Sequence, residues 1–119
     1  MARIMVTDDA AFMRMMLKNI LVEGGHEVVA EAENGEQAIK QYEVFAPDVV
    51  TMDITMPIMD GIEAVHSIKS KHPDARILMC SAMGQQAMVL EAVKAGANGF
   101  VVKPFDGGKV LMEIERLMG

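Results

Sequence analysis

The chain has 119 residues, a length typical of one domain, and we predict a single domain over residues 1–119. Its formal net charge of −6 argues against nucleic acid as the main partner, because phosphate binding needs a basic surface. Hydrophobic residues make up 51% of the chain, yet no apolar run approaches the roughly 18 residues that span a bilayer, so we expect no membrane association.

The amino terminus and the cysteine content bear on localisation. Met1-Ala2-Arg3 leads directly into a strand-like run, so no signal peptide is predicted. Cys80 is the only cysteine, which excludes an internal disulfide and suits a reducing compartment. We therefore expect a cytoplasmic protein, and we interpret Cys80 as a small buried apolar side chain rather than as a nucleophile.

Apolar periodicity predicts five strands that alternate with five helices. The strands are short, continuous apolar runs, which are typical of strands buried on both faces of a parallel sheet. The helices carry apolar stripes at 3.6-residue spacing, and the first of them ends at Gly24-Gly25, where we expect backbone with φ > 0. The predicted strands are 3–7, 26–32, 48–53, 76–81 and 99–103, and the predicted helices are 11–22, 36–45, 62–72, 86–95 and 107–118.

This alternation predicts an α/β fold with a parallel sheet and helices on both faces. The crossover connections are expected to be right-handed. In such sheets, ligands bind beyond the carboxyl ends of the strands. We therefore expect the functional residues at the carboxyl ends of the strands.

Four of the predicted strands end in side chains that carry chemistry. Asp8 and Asp9 follow the first strand, Asp53 ends the third, Ser81 ends the fourth and Lys103 ends the fifth. Each alone has an ordinary explanation, such as a helix cap or a solvated lysine. Because parallel strands present their carboxyl ends at one edge of a sheet, all five are expected to meet there.

Three converging carboxylates are tolerable only if they are solvated, protonated or neutralised by a cation. Two carboxylates about 4 Å apart repel by on the order of 4 kcal/mol at an effective dielectric constant of 20. Hard oxygen ligands at a partly hydrated site suit Mg²⁺, which we predict to be held by Asp8 and Asp9. With Lys103 as a second positive charge, the set suits phosphoryl transfer: Asp53 is the predicted nucleophile, and Ser81 donates to a phosphoryl oxygen.

The same residues carry a resemblance to response-regulator receiver domains, and within that family to single-domain chemotaxis regulators. The matching motifs are Asp8-Asp9, Asp53 with Met56-Pro57 and Asp60-Gly61, Ser81-Ala82, and Lys103-Pro104-Phe105. The resemblance covers the whole chain. It implies a doubly wound, flavodoxin-like (βα)5 fold with a five-stranded parallel sheet in the order 2-1-3-4-5, in which the first and third strands are neighbours.

The resemblance also implies roles for the site residues. Asp53 would accept a phosphoryl group from a phosphohistidine on a CheA-type histidine kinase. Asp9, Asp53 and the backbone carbonyl of Thr55 would bind Mg²⁺ directly, while Asp8 would act through a bound water. Lys103 would contact the phosphoryl group, and the Lys103-Pro104 peptide bond would be cis.

A switch is implied as well. Ser81 would move to the phosphoryl group, Phe100 would turn into the vacated space, and the surface of the fourth helix, fifth strand and fifth helix would change. A flagellar-motor switch protein or an archaeal motor adaptor would bind that surface. The protein would be a monomer and not an enzyme, apart from self-catalysed phosphorylation and slow autodephosphorylation. Phe100, Thr7 and Met83 depart from the family's usual residues, and Met83 leaves the phosphate lifetime open.

Rival functions fit the residues less well. A haloacid-dehalogenase-type phosphatase needs a second aspartate where Thr55 stands, and a flavodoxin-like FMN carrier would suffer repulsion from Asp8-Asp9. Within the family, the alternatives are a phosphorelay intermediate and the receiver of a transcription regulator. The 13 methionines fit either core packing or an adaptable binding surface. The histidines, which lack metal-ligand spacing and are expected at the surface, are His26, His66 and His72.

Overall fold

A computed structural model describes every residue, Met1–Gly119. Five strands alternate with five helices along the chain, as the apolar pattern predicts. The strands are β1 (Arg3–Thr7), β2 (Glu27–Ala32), β3 (Val49–Asp53), β4 (Ile77–Ser81) and β5 (Gly99–Val102). The helices are α1 (Ala11–Glu23), α2 (Gly35–Phe45), α3 (Gly61–Lys71), α4 (Gln86–Lys94) and α5 (Gly107–Met118).

The five strands form one parallel sheet in the order β2-β1-β3-β4-β5. This order confirms the predicted topology. β1 and β3 are neighbours, with Ile4 opposite Val49 and Thr7 opposite Met52. Since β1 stops at Thr7 and β3 at Asp53, the residues that follow these strands emerge side by side at the carboxyl edge.

Side chains alternate between the two faces of the sheet and build a core on each. One core contains 16 buried residues, among them Met5, Met52 and Met79, and packs against α2, α3 and α4. The other contains 11, among them Val6 and Cys80, and packs against α1 and α5. Burial on both faces explains why the strands are continuous apolar runs. No helix is both long enough and apolar enough to cross a membrane.

Cys80 is buried, as predicted, and burial raises the pKa of its thiol to about 12. The methionines divide between the two interpretations. Met5, Met52, Met56 and Met79 are buried, whereas six others are exposed, so core packing accounts for only part of the excess.

Two predictions of local detail were wrong. Gly25 has φ of 87°, but Gly24 has φ of −80° and does not need glycine's backbone freedom. Position 24 favours glycine for a different reason: a Cβ there would overlap the side chain of Leu111 on α5. Of the histidines, only His66 is fully at the surface.

His26 and His72 are half-buried because each has a partner. The Nδ1 of His26 accepts the backbone N–H of Ala2 at 3.0 Å, where β1 and β2 begin side by side. The Nε2 of His72 lies 2.8 Å from a carboxylate oxygen of Glu43. Both histidines thus connect neighbouring elements and lie outside the candidate site.

Candidate functional site

Three aspartates converge where β1 and β3 end. One carboxylate oxygen from each of Asp8, Asp9 and Asp53 lies within 4.8 Å of the others. Asp8 and Asp53 are buried, with 4% and 8% of their surfaces exposed, whereas Asp9 is exposed. The predicted cluster therefore forms. The Asp9 carboxylate is exposed to solvent, and the carboxylates of Asp8 and Asp53 are buried.

Lys103 reaches the cluster from the end of β5. Its Nζ lies 2.8 Å from Asp8 Oδ2 and 3.2 Å from Asp53 Oδ1. The backbone N–H of Lys103 also donates to the Ser81 carbonyl at 2.7 Å, which ties the lysine to the end of β4. The Lys103-Pro104 peptide bond is cis, as the resemblance implies.

Burial and charge shift the titration of these groups. Burial, followed by the charge of Asp8, raises the pKa of Asp53 despite the opposing effect of Lys103. For Lys103, burial alone would lower the pKa, but the hydrogen bond to Asp8 and the charges of Asp53 and Asp8 together raise it. In the metal-free site, the pKa of the Lys103 ammonium and the pKa of the neighbouring Asp53 carboxyl are thus both raised.

The donor set fits Mg²⁺. Carboxylate oxygens are the hard ligands that this ion prefers, and it retains several waters, which an open position on the solvent side allows. The Asp9 carboxylate makes no hydrogen bond or ion pair and faces solvent beside the two buried ones. Thr55, two residues beyond Asp53, is exposed and its carbonyl accepts no backbone hydrogen bond, so this oxygen is free for a ligand role.

The start of α3 packs closely against the residues at the end of β3. The Gly61 N–H donates to the Ile54 carbonyl at 2.7 Å. A Cβ at Gly61 would overlap the carbonyl of Asp53, so only glycine lets α3 begin this close to the end of β3. The Ile54 N–H in turn donates to Asp53 Oδ1 at 3.0 Å and orients the carboxylate.

Of the predicted switch residues, Ser81 ends β4, which neighbours β3 in the sheet, and Phe100 lies on β5. The Ser81 hydroxyl is buried and lies 3.4 Å from the Val101 carbonyl, a long contact for an O–H donor. Phe100 is 49% exposed and points outward. Phe100 lines a groove beside α5 and also a smaller pocket that is lined by Ser81 and by Val89 of α4.

Two residues of the site were missed by the sequence analysis. Gln85 accepts from the Ala82 N–H at 2.7 Å and donates to the Thr55 hydroxyl at 3.2 Å, so it bridges the loops after β4 and β3. Arg14 of α1 donates to the carbonyl of Asp8 at 2.8 Å. For Arg14 a sequence signal existed: it lies in the first turn of the helix that follows Asp8-Asp9. For Gln85 none did.

Comparisons with known proteins agree with this geometry. The family model described as "Response regulator receiver domain" matches residues 4–115. The chain is 60% identical over 116 residues to the chemotaxis protein CheY of Bacillus subtilis strain 168, covering 98% of this chain and 97% of that protein. It is 54% identical over 115 residues to CheY of Thermotoga maritima, covering 97% and 96% respectively.

Solved structures lead to the same family. The chain superimposes with a TM-score of 0.93 on a chain of the CheX-CheY-BeF3-Mg complex of Borrelia burgdorferi. The identity is 34%, and the match covers 98% of this chain and 89% of the other.

Proposed function

We propose that this chain, which belongs to the response regulator receiver domain family, is a chemotaxis response regulator that accepts a phosphoryl group on Asp53. The donor is a phosphohistidine on a CheA-type histidine kinase, and the metal is Mg²⁺. The observation that carries the proposal is the convergence of Asp8, Asp9 and Asp53 within reach of Lys103. The near full-length similarity to chemotaxis proteins supports the assignment to chemotaxis rather than to another two-component pathway.

The residues have distinct tasks in the transfer. A carboxylate oxygen of Asp53 attacks phosphorus, the bond from phosphorus to the histidine nitrogen breaks, and its electron pair returns to the imidazole. When bound by Asp9, Asp53 and the Thr55 carbonyl, with Asp8 acting through water, Mg²⁺ would neutralise charge on the phosphoryl oxygens. Lys103 supplies a second positive charge, and it must loosen its bonds to Asp8 and Asp53 to do so. The chain's own activity is limited to this transfer and slow autodephosphorylation.

The output surface is the face built by α4, β5 and α5. A groove of about 630 Å³ lies there, with Met83, Phe100 and Met112 among its apolar lining residues and Lys103 among its polar ones. Lys103 thus belongs to both the acidic site and the groove. Movement of Ser81 towards a phosphoryl group, with Phe100 turning inward, would change this groove, and a motor switch protein or archaeal motor adaptor would bind the changed surface.

The phosphorylation step is tested with radiolabelled acetyl phosphate and Mg²⁺. We expect acid-labile label on the wild-type chain and on Asp74→Asn, a matched exposed aspartate, but none on Asp53→Asn. The same three proteins are then offered to a phosphorylated CheA-type kinase. Equal labelling of Asp53→Asn would contradict the assignment of the nucleophile, and labelling by acetyl phosphate without labelling by the kinase would contradict the proposed donor.

A further inference from the structure

We propose that Arg14 is a positioning residue for the metal site, because it holds the Asp8–Asp9 peptide group in the orientation that presents the Asp9 carboxylate to Mg²⁺. This inference rests on the proposed Mg²⁺ site. It concerns a residue that contacts neither the metal nor the phosphoryl group, and that acts only through the main chain between two metal-site aspartates.

The two buried carboxylates have their own anchors. Asp8 Oδ1 accepts the Ala10 N–H at 2.9 Å, and its Oδ2 accepts from Lys103 at 2.8 Å. Asp53 Oδ1 accepts the Ile54 N–H at 3.0 Å and lies 3.2 Å from Lys103 Nζ. Both side chains are thus oriented before any ligand arrives.

The Asp9 carboxylate has no such anchor. It is exposed and makes no hydrogen bond or ion pair, so its placement depends on its own backbone. The peptide group that joins Asp8 to Asp9 is held by one hydrogen bond, to its carbonyl, and the peptide group before it is held by another, from its N–H. The Asp8 N–H donates to the Ala32 carbonyl on β2 at 3.0 Å, and the Asp8 carbonyl accepts from Arg14 Nη1 at 2.8 Å. Without the second bond, rotation of the Asp8–Asp9 peptide would carry Asp9 away from the cluster.

Arg14 is itself held in place. Its side chain is 14% exposed, and its Nε donates to Glu31 at 3.1 Å. Glu31 lies on β2 next to Ala32, and its other carboxylate oxygen accepts from Lys18 at 2.8 Å. The guanidinium therefore connects α1, the β1–α1 loop and β2, using two donors that point in different directions, which a lysine ammonium cannot reproduce from one atom.

Removal of Arg14 would change the affinity for Mg²⁺ in opposite directions through the loss of its charge and through the loss of its hydrogen bond to the Asp8 carbonyl. Arg14 is a cation near a cation site, so through long-range electrostatics its loss would tighten Mg²⁺ binding. Through positioning, its loss weakens binding, by the tenfold or more that is typical when a group supporting a metal ligand is lost. Lys18 offers a matched control, because it bonds to the same glutamate but does not contact the β1–α1 loop.

The experiment compares wild type, Arg14→Met and Lys18→Met by NMR titration with MgCl2, following the Asp9 and Ala10 amide signals. We expect the Kd for Mg²⁺ to rise about tenfold in Arg14→Met and to stay the same or fall in Lys18→Met. In metal-free Arg14→Met, faster amide exchange confined to the Asp9 and Ala10 region is expected, with the thermal midpoint little changed.

An unchanged or lower Kd in Arg14→Met, or an equal rise in Lys18→Met, would overturn the inference. If Arg14→Met does not fold, Arg14→Lys replaces it, and its Kd is expected above that of wild type because one of the two bonds is lost. Absence of Mg²⁺ binding by the wild-type chain would instead refute the proposed metal site, so the two failures are distinguishable.

Discussion

Lys103 pairs more closely with Asp8 than with Asp53. Its Nζ is 2.8 Å from Asp8 Oδ2 and 3.2 Å from Asp53 Oδ1, so one ammonium serves two buried carboxylates. In the metal-free protein, Lys103 therefore neutralises part of the negative charge that we expect Mg²⁺ to neutralise when it is bound. Its position also links the acidic site to the groove beside α5.

Lys103→Met tests this shared neutralisation. The variant keeps an unbranched side chain one atom shorter but leaves two buried carboxylates without their cation, so we expect metal-free stability to fall by about 3 kcal/mol in urea unfolding. Saturating Mg²⁺ should recover much of the loss. Lys109→Met, which removes an exposed lysine without an ion pair, is the control, with an expected change within about 0.5 kcal/mol. A Lys103→Met protein as stable as wild type would contradict the neutralising role.

Asp53→Asn should stabilise the metal-free protein at neutral pH. Burial and the charge of Asp8 raise the folded-state pKa of Asp53 above its ordinary value of 3.8. A raised folded-state pKa gives stability that is present below the unfolded-state value and lost as the pH rises through the folded-state value. Asparagine does not ionise, so this loss does not occur in the variant.

The difference in the free energy of unfolding between the two proteins should therefore widen as the pH rises above the ordinary aspartate value of 3.8 and through the raised folded-state pKa of Asp53. Unfolding at several pH values, with and without MgCl2, measures it. We expect saturating Mg²⁺ to close the gap, since the metal favours the ionised carboxylate of the wild type. A wild-type protein more stable than Asp53→Asn at pH 7 without metal would show that the ionised Asp53 carboxylate does not destabilise the folded state.

Phe100→Trp should report the switch. The chain has no tryptophan, so the new indole would be the only one, and it would begin half-exposed in the groove. Adding beryllofluoride and Mg²⁺, which imitate the phosphoryl group, should shift its emission to shorter wavelength as the ring turns inward. The double variant Asp53→Asn with Phe100→Trp should not respond. An unshifted spectrum in a fully modified protein would contradict the predicted movement.

Gly61→Ala should disturb the site through packing alone. The added Cβ would overlap the Asp53 carbonyl, which belongs to the backbone and cannot move aside cheaply. We expect a loss of about 2 to 3 kcal/mol in the free energy of unfolding. Gly108→Ala, in the first turn of α5, meets only an ordinary contact with Asp106 at 3.4 Å and should change stability by less than about 1 kcal/mol. Equal effects at the two glycines would argue against a close approach at Gly61.

The element boundaries and the identity of the site residues were accessible from sequence because both depend on local patterns. Apolar runs buried on two faces define the strands, and polar residues directly after them mark the carboxyl edge. That reasoning identified Asp8, Asp9, Asp53, Ser81 and Lys103. The strand order came from the resemblance, since periodicity alone does not say which strands are neighbours.

The tertiary structure alone decided which of these groups touch and how strongly they are perturbed. The contact between Lys103 and Asp8 joins residues 95 positions apart, and no local pattern specifies which carboxylate the lysine prefers. The bridge from Gln85 to Thr55 is also non-local, since it joins residues 30 positions apart, whereas the contact of Arg14 with Asp8 spans only six. The sequence by itself determined which chemical groups arrive at one edge of the sheet. Packing determined that two carboxylates are buried around one ammonium while Asp9 remains open, because burial and distance are set by the assembled sheet and helices together.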